Sequence, residues 1–206
     1  MSDFVDTTLL ASAFVTLFVI MDPVGTVPIF LSLTAGRSAA TARRAAWQAV
    51  AVSFLVITLF AFFGQQILGY LHISLPALQC AGGLLLLLVA LELLTDKEEE
   101  LTGSGQDANI ALVPLGTPLL AGPGAIVATM LFVEEIDHGP ELAAVALGVV
   151  GVHVTLWLAM RFSLPILRLL REGGVLLVTR IAGLLLSAIA VQLVADAVRA
   201  FIAGEG

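Results

Sequence analysis

The stretch Met21-Asp22-Pro23-Val24-Gly25-Thr26-Val27-Pro28-Ile29-Phe30 interrupts an apolar run from residue 8 to 34, and its reading decides the fold. Each proline lacks an amide hydrogen and clashes with the carbonyl four residues back, so the carbonyls of Val19 and Val24 lose their ordinary partners. A regular helix through this stretch is not expected. Asp22 before Pro23 matches a helix N-cap followed by proline at the first helical position. The expectation is therefore two half-helices that meet near the middle of the run, with freed carbonyls on one side and exposed amides on the other.

Such a break has a particular meaning in this chain because of what surrounds it. The 206 residues are 59% hydrophobic and only 12% charged, against about 25% charged in a soluble domain. Their mean hydropathy is +1.07. One helical pass of a bilayer takes about 20 apolar residues, and six apolar segments can be read, at 8–34, 45–70, 75–94, 110–133, 142–163 and 175–202. The expected fold class is an all-α membrane protein with six transmembrane helices. Broken backbone is tolerated at membrane depth only where protein or a polar cavity encloses it, so the first segment is read as an interrupted span. The leading Met-Ser-Asp-Phe-Val-Asp carries no positive charge and no small-x-small cleavage site follows, unlike a cleaved signal peptide.

Cations set the expected orientation. Arg37, Arg43, Arg44, Lys97, Arg161, Arg168, Arg171 and Arg180 fall in or around odd-numbered joints and only Arg199 falls on the other side, so the positive-inside rule places both termini outside the cytoplasm. The joint at residues 95–109 is charged and contains Gly and Ser, and reads as a flexible cytoplasmic tether between residues 1–94 and residues 110–206. Each half has an odd number of spans, so a repeat between them would be inverted, a common transporter design. Shifting the chain by one hundred positions gives 15 identities in 106 pairs, against roughly nine expected from composition. Pro23 then pairs with Pro123, Gly83-Leu84-Leu85-Leu86 with Gly183-Leu184-Leu185-Leu186, and Asp96 with Asp196.

The fourth span is interrupted as the first is, by Pro114-Leu115-Gly116-Thr117-Pro118-Leu119-Leu120-Ala121-Gly122-Pro123-Gly124-Ala125. Thr117-Pro118 is a second cap-like pair, and Gly122-Pro123-Gly124 permits close backbone approach. Proline kinks that merely shape a bundle are the competing reading. Breaks at corresponding positions of two halves point instead to a binding site at their interface, with Asp22, Pro23, Gly25, Thr26, Pro28, Thr117, Ala121, Gly122, Pro123 and Gly124 as the candidate substrate-binding residues. Asp22 is a carboxylate near mid-membrane, functional by default. It can carry a proton, ligate sodium or contact an ammonium group, or it can simply cap its half-helix. His153 in the fifth span is a second candidate for ion coupling, with a neutral histidine hydrogen-bonded between helices as the alternative. Glu92, Asp96, Gln192, Asp196 and Arg199 read as solvated rims near helix ends. The pairs Ala144 with Gly148 and Gly183 with Ser187 have the small-xxx-small spacing of close helix packing.

These two interrupted motifs, six spans and about two hundred residues resemble the MarC family of bacterial and archaeal inner-membrane proteins. The likeness runs along essentially the whole chain and rests on Asp22, Pro23, Gly25, Pro28, Ala121, Gly122, Pro123 and Gly124. It implies a six-span carrier of the neutral amino acid transporter type, within a superfamily that includes LysE-type exporters. The function expected is secondary transport of small neutral amino acids or related metabolites across the inner membrane by alternating access, driven by a proton or sodium gradient. A zwitterion suits such a site, since a half-helix N-terminus favours its carboxylate and Asp22 or freed carbonyls accept from its ammonium. No phosphate-binding glycine loop with lysine, His-Glu-x-x-His pair or Gly-x-Ser-x-Gly elbow is present, so no enzyme, cofactor or metal is expected. The single Cys80 excludes an internal disulfide, and an acidic total of −7 argues against a nucleic acid partner. The expected partners are a small-molecule substrate and membrane lipid. A non-transporting membrane scaffold or stress-related protein is the alternative function.

Overall fold

Helix formation begins at Asp6, whose Oδ1 accepts from the amides of Thr8 and Leu9 at 2.9 Å and so satisfies two of the four amides that a helix start leaves bare. Helix α1 runs from there over Thr7–Met21 and ends at the Asp22 break; α2 resumes at Thr26–Leu33. Ser38 then caps α3, Ala39–Leu71, by accepting from the Thr41 amide at 3.2 Å. Helix α3 closes where His72 turns left-handed at φ 54°, with its amide on the Gly69 carbonyl and that of Ile73 on Leu68, a Schellman-type stop. Helix α4 covers Leu75–Thr95, α5 Pro123–Glu134, α6 Gly139–Arg161 and α7 Ser163–Ala203. This computed structural model describes residues 5–34, 36–95 and 120–204. The tether expected at 95–109 and the Pro114 to Pro118 part of the fourth span lie outside the described residues, apart from Thr95 itself.

Every element among the described residues is helical. Four stretches are long and apolar enough to cross a membrane: α3, α4, α6 and the Leu176–Ala203 part of α7. Helices α1 and α5 are also apolar but have 15 and 12 residues, about 22 and 18 Å at 1.5 Å per residue, short of a bilayer core of about 30 Å. The surface is inside out relative to a soluble protein. Leu55, Phe62, Leu177 and Leu184 are each more than half exposed, which hydrocarbon, not water, can solvate.

Small residues bring the helices together. A Cβ on Gly148 would stand 3.2 Å from the Ala13 Cβ and 3.3 Å from the Phe14 amide nitrogen, so α6 packs backbone to backbone on α1, with Ala144 fully buried beside it. Helix α4 lies on α7 in a reciprocal way. A Cβ on Gly83 would meet the Ala190 carbonyl at 2.8 Å together with Leu193 and Val194, and one on Gly183 would meet the Ala90 carbonyl at 3.3 Å together with Leu93 and Leu94. The two contact sets are the same set displaced by one hundred positions. Between α3 and α6 the same offset recurs, because the buried Ser53 hydroxyl lies 3.2 Å from Nε2 of His153.

The sixth span expected at 175–202 coincides with the apolar Leu176–Ala203 stretch, but the joint expected ahead of it is helical: α7 is continuous from Ser163, with Phe162 alone between it and α6. The joint is rich in Leu and Arg, which are good helix formers. Pro165 falls in the first turn of α7, where its missing amide costs no hydrogen bond. Helix α3 likewise begins at Ala39 and takes in Arg43 and Arg44.

Candidate functional site

At the first break the chain adopts a different local geometry from the cap that Asp22-Pro23 suggests. Asp22 is the C-cap of α1, left-handed at φ 37° and ψ 74°, with its amide on the Phe18 carbonyl at 3.1 Å. Aspartate tolerates this region better than most residues because its short polar side chain bonds locally, and here Oδ1 accepts from the Gly25 amide at 3.0 Å. Pro23, Val24 and Gly25 form a turn, and α2 begins only at Thr26. The correction is thus that Pro23 is not the first helical residue; the carboxylate caps the turn ahead of the helix.

Backbone groups at the break find partners nearby. Asp22 O accepts from both the amide and the hydroxyl of Thr26, at 3.0 and 2.9 Å. The Val24 carbonyl, expected to be freed by Pro28, accepts from the Val27 amide at 3.1 Å. Pro28 is the third residue of α2, so its missing amide is among those that a first turn leaves without an intrahelical bond. Gly25 is required here, because a Cβ at that position would overlap the Asp22 carboxylate. Pro23 is fully enclosed, and Thr26 is 3% exposed.

At the second break a cap followed by proline stands at Gly122-Pro123, whereas the cap-like pair expected at Thr117-Pro118 lies outside the described residues. Gly122 is the N-cap of α5 with φ −63° and ψ 161°, Pro123 is the first helical residue, and the Gly122 carbonyl accepts from the amides of Ala125 and Ile126. Gly124 is held against α4, where a Cβ would overlap Leu86. Met21, Leu120, Ala121 and Ala125 belong to one buried cluster, so the two breaks share a core. Thr117 lies outside the described residues.

His153 stands apart from the breaks, 3% exposed on α6. Its Nδ1 lies 2.8 Å from the Val149 carbonyl. A carbonyl only accepts, so Nδ1 carries the hydrogen, and in the neutral ring Nε2 accepts from the Ser53 hydroxyl. Phe54 meets the imidazole edge to face at 5.2 Å. The same ring helps floor a cleft of about 640 Å³ between α3 and α6, walled by Trp47, Phe54, Phe62, Phe63 and Trp157. No charged side chain lines it; Thr58 and His153 are its polar members. Sequence reading missed this cleft. Its signal was present in Trp47, Val50, Phe54, Thr58 and Phe62, which recur at helical spacing on one face of α3. Among the described residues no three metal-ligating side chains come together.

Residues 7–202 match the MarC family of integral membrane proteins. The chain belongs to the MarC family. It is 34% identical over 194 residues to a UPF0056 membrane protein of Methanocaldococcus jannaschii, covering 91% of this chain and 94% of that one. A Bacillus subtilis UPF0056 membrane protein, YvbG, is 33% identical over 189 residues, with 88% and 90% of the two chains covered. The Escherichia coli UPF0056 membrane protein YhcE is 28% identical over 198 residues, covering 93% and 92%. No solved structure matches. The MarC chain is therefore a multi-pass integral membrane protein whose relatives share nearly its full length.

Proposed function

We propose that this protein is a secondary transporter of small neutral amino acids or related small metabolites in the inner membrane. Six spans form two three-span halves of inverted topology, residues 1–94 and 110–206, joined by the tether at 95–109, and alternating access arises from rocking of one half against the other. The first and fourth spans are the interrupted ones. The observation that carries this reading is the recurrence of one offset: Ser53 meets His153, while Gly83 faces the Ala190 carbonyl as Gly183 faces that of Ala90. A two-fold axis brings residues on the axis onto their own equivalents and makes off-axis contacts occur twice, and with three spans in each half such a repeat is inverted.

Substrate chemistry follows from the polar groups near mid-span. Asp22 and the α5 N-terminus offer an acceptor for an ammonium group and a positive helix end for a carboxylate. Coupling to a proton or sodium gradient runs through Asp22, with His153 as the second titratable group at the half-to-half contact.

Reconstituted liposomes test this. Wild-type protein should exchange labelled neutral amino acids across the bilayer, faster under an imposed proton gradient. Asp22→Asn keeps the acceptor that Gly25 needs and should stay folded, yet lose at least tenfold in uptake rate or become indifferent to the gradient. Full uptake by this variant with unchanged pH dependence removes Asp22 from proton coupling. Absence of exchange for every substrate in the panel, by protein that unfolds cooperatively, favours the scaffold reading.

A further inference from the structure

Helix α7 is too long for its membrane crossing. Its 41 residues extend about 61 Å at 1.5 Å per residue, whereas a bilayer with both headgroup regions is about 40–45 Å thick. The Leu176–Ala203 part alone suffices to cross. Helix α6 ends at Arg161 and α7 starts at Ser163, so both lie at one membrane face. Helix α6 packs chiefly on α1 and α7 chiefly on α4, so α7 does not fold straight back along α6. Residues 163–175 are thus the length of α7 in excess of its crossing, about 20 Å, and they begin at the face where α6 ends.

The composition of this passage fits the interface. Residues 161–180 hold four arginines, Arg161, Arg168, Arg171 and Arg180, against one acid, Glu172, in a chain whose total is −7. Arg161 and Arg168 are exposed, and among the described residues neither is in a salt bridge with a carboxylate. Beside them Leu169 is 84% exposed and Leu164 55%, and the Arg161 guanidinium lies over the Phe162 ring at 5.5 Å. Water disfavours those apolar surfaces and hydrocarbon disfavours the cations. The acyl–headgroup boundary accepts both. The corresponding passage one hundred positions earlier, residues 61–75, has no cation at all, so the charge is not a requirement of the turn.

We infer that residues 161–175 form an interfacial strip that binds the headgroups of anionic phospholipids, with Arg161 and Arg168 as the phosphate partners and Leu164 and Leu169 seated among the upper acyl chains. Trp157, one turn before Arg161, supplies the readout. In full-length Trp47→Phe protein in phosphatidylcholine nanodiscs, energy transfer to dansyl-labelled phosphatidylglycerol should be displaced by unlabelled phosphatidylglycerol at a mole fraction at least fivefold below that needed with added phosphatidylethanolamine. Arg161→Gln with Arg168→Gln should abolish the preference, at about fivefold per arginine, and lysine at both positions should retain it. Equal displacement by the two lipids overturns the proposal, as does a preference that survives in the glutamine variant. Displacement by millimolar inorganic phosphate assigns the arginines to a free anion and also overturns it. A spin label at Leu169→Cys in a Cys80→Ser background should be more accessible to oxygen than to an aqueous nickel chelate; the reverse order puts the strip in water and refutes the seating. That second measurement needs no arginine variant to fold.

Discussion

Asp22 ends one helix with its backbone and opens the next turn with its side chain. The left-handed backbone at φ 37° aims Oδ1 at the Gly25 amide, and the space this takes is the space a Cβ on residue 25 would need. Gly25→Ala should therefore destabilise the protein by about 1–3 kcal/mol through overpacking, and Asp22→Ala by about 1 kcal/mol through the lost cap. The double variant should cost clearly less than the sum, because removing the carboxylate makes room for the methyl group. Unfolding of the four proteins in one detergent measures this, and additivity within about 0.3–0.5 kcal/mol refutes the contact. The sequence made the break and its residues legible but not the cap order. Aspartate is favoured both at helix N-caps and in left-handed turns, and only the packing of the fully enclosed Pro23 separates the two.

Helices α4 and α7 meet through Gly83 and Gly183 on one side and the Ala190 and Ala90 carbonyls on the other. Since each glycine faces the equivalent surface, Gly83→Val and Gly183→Val should destabilise by similar amounts, about 1–3 kcal/mol each. Comparable falls in thermal midpoint in micelles are the expected outcome; a harmless change at one position and a severe one at the other would break the equivalence. The shared Gly-Leu-Leu-Leu segments mark the two positions as equivalent, and Gly183 with Ser187 as a place of close helix approach, but that the two segments pack on one another was not legible in the sequence. The length of α7 was not visible. A run of Leu and Arg with two glycines reads equally as a joint or as a helix, because Leu and Arg favour a helix and glycine does not.

For the molecule as a whole, composition was enough to place the chain in a bilayer, since a surface carrying Leu55, Phe62 and Leu184 has no aqueous equivalent. Orientation rests on the cations and is open to direct measurement. In the Cys80→Ser background, His72→Cys and His138→Cys should react with a membrane-impermeant maleimide on intact cells, and Arg37→Cys only after permeabilisation; the opposite pattern inverts the topology. The α3–α6 cleft escaped sequence reading because the aromatic stripe on α3 reads as lipid-facing surface until the α6 residues Val150, His153 and Trp157 are set beside it. Ser53 and His153 differ, so their contact has a direction: the hydroxyl donates and Nε2 accepts. Under the proposed repeat, two identical half-length chains would have to set hydroxyl on hydroxyl or imidazole on imidazole at this place. A single polypeptide carrying both halves lets one side donate and the other accept, and so gives the proposed repeat a built-in distinction between its two sides.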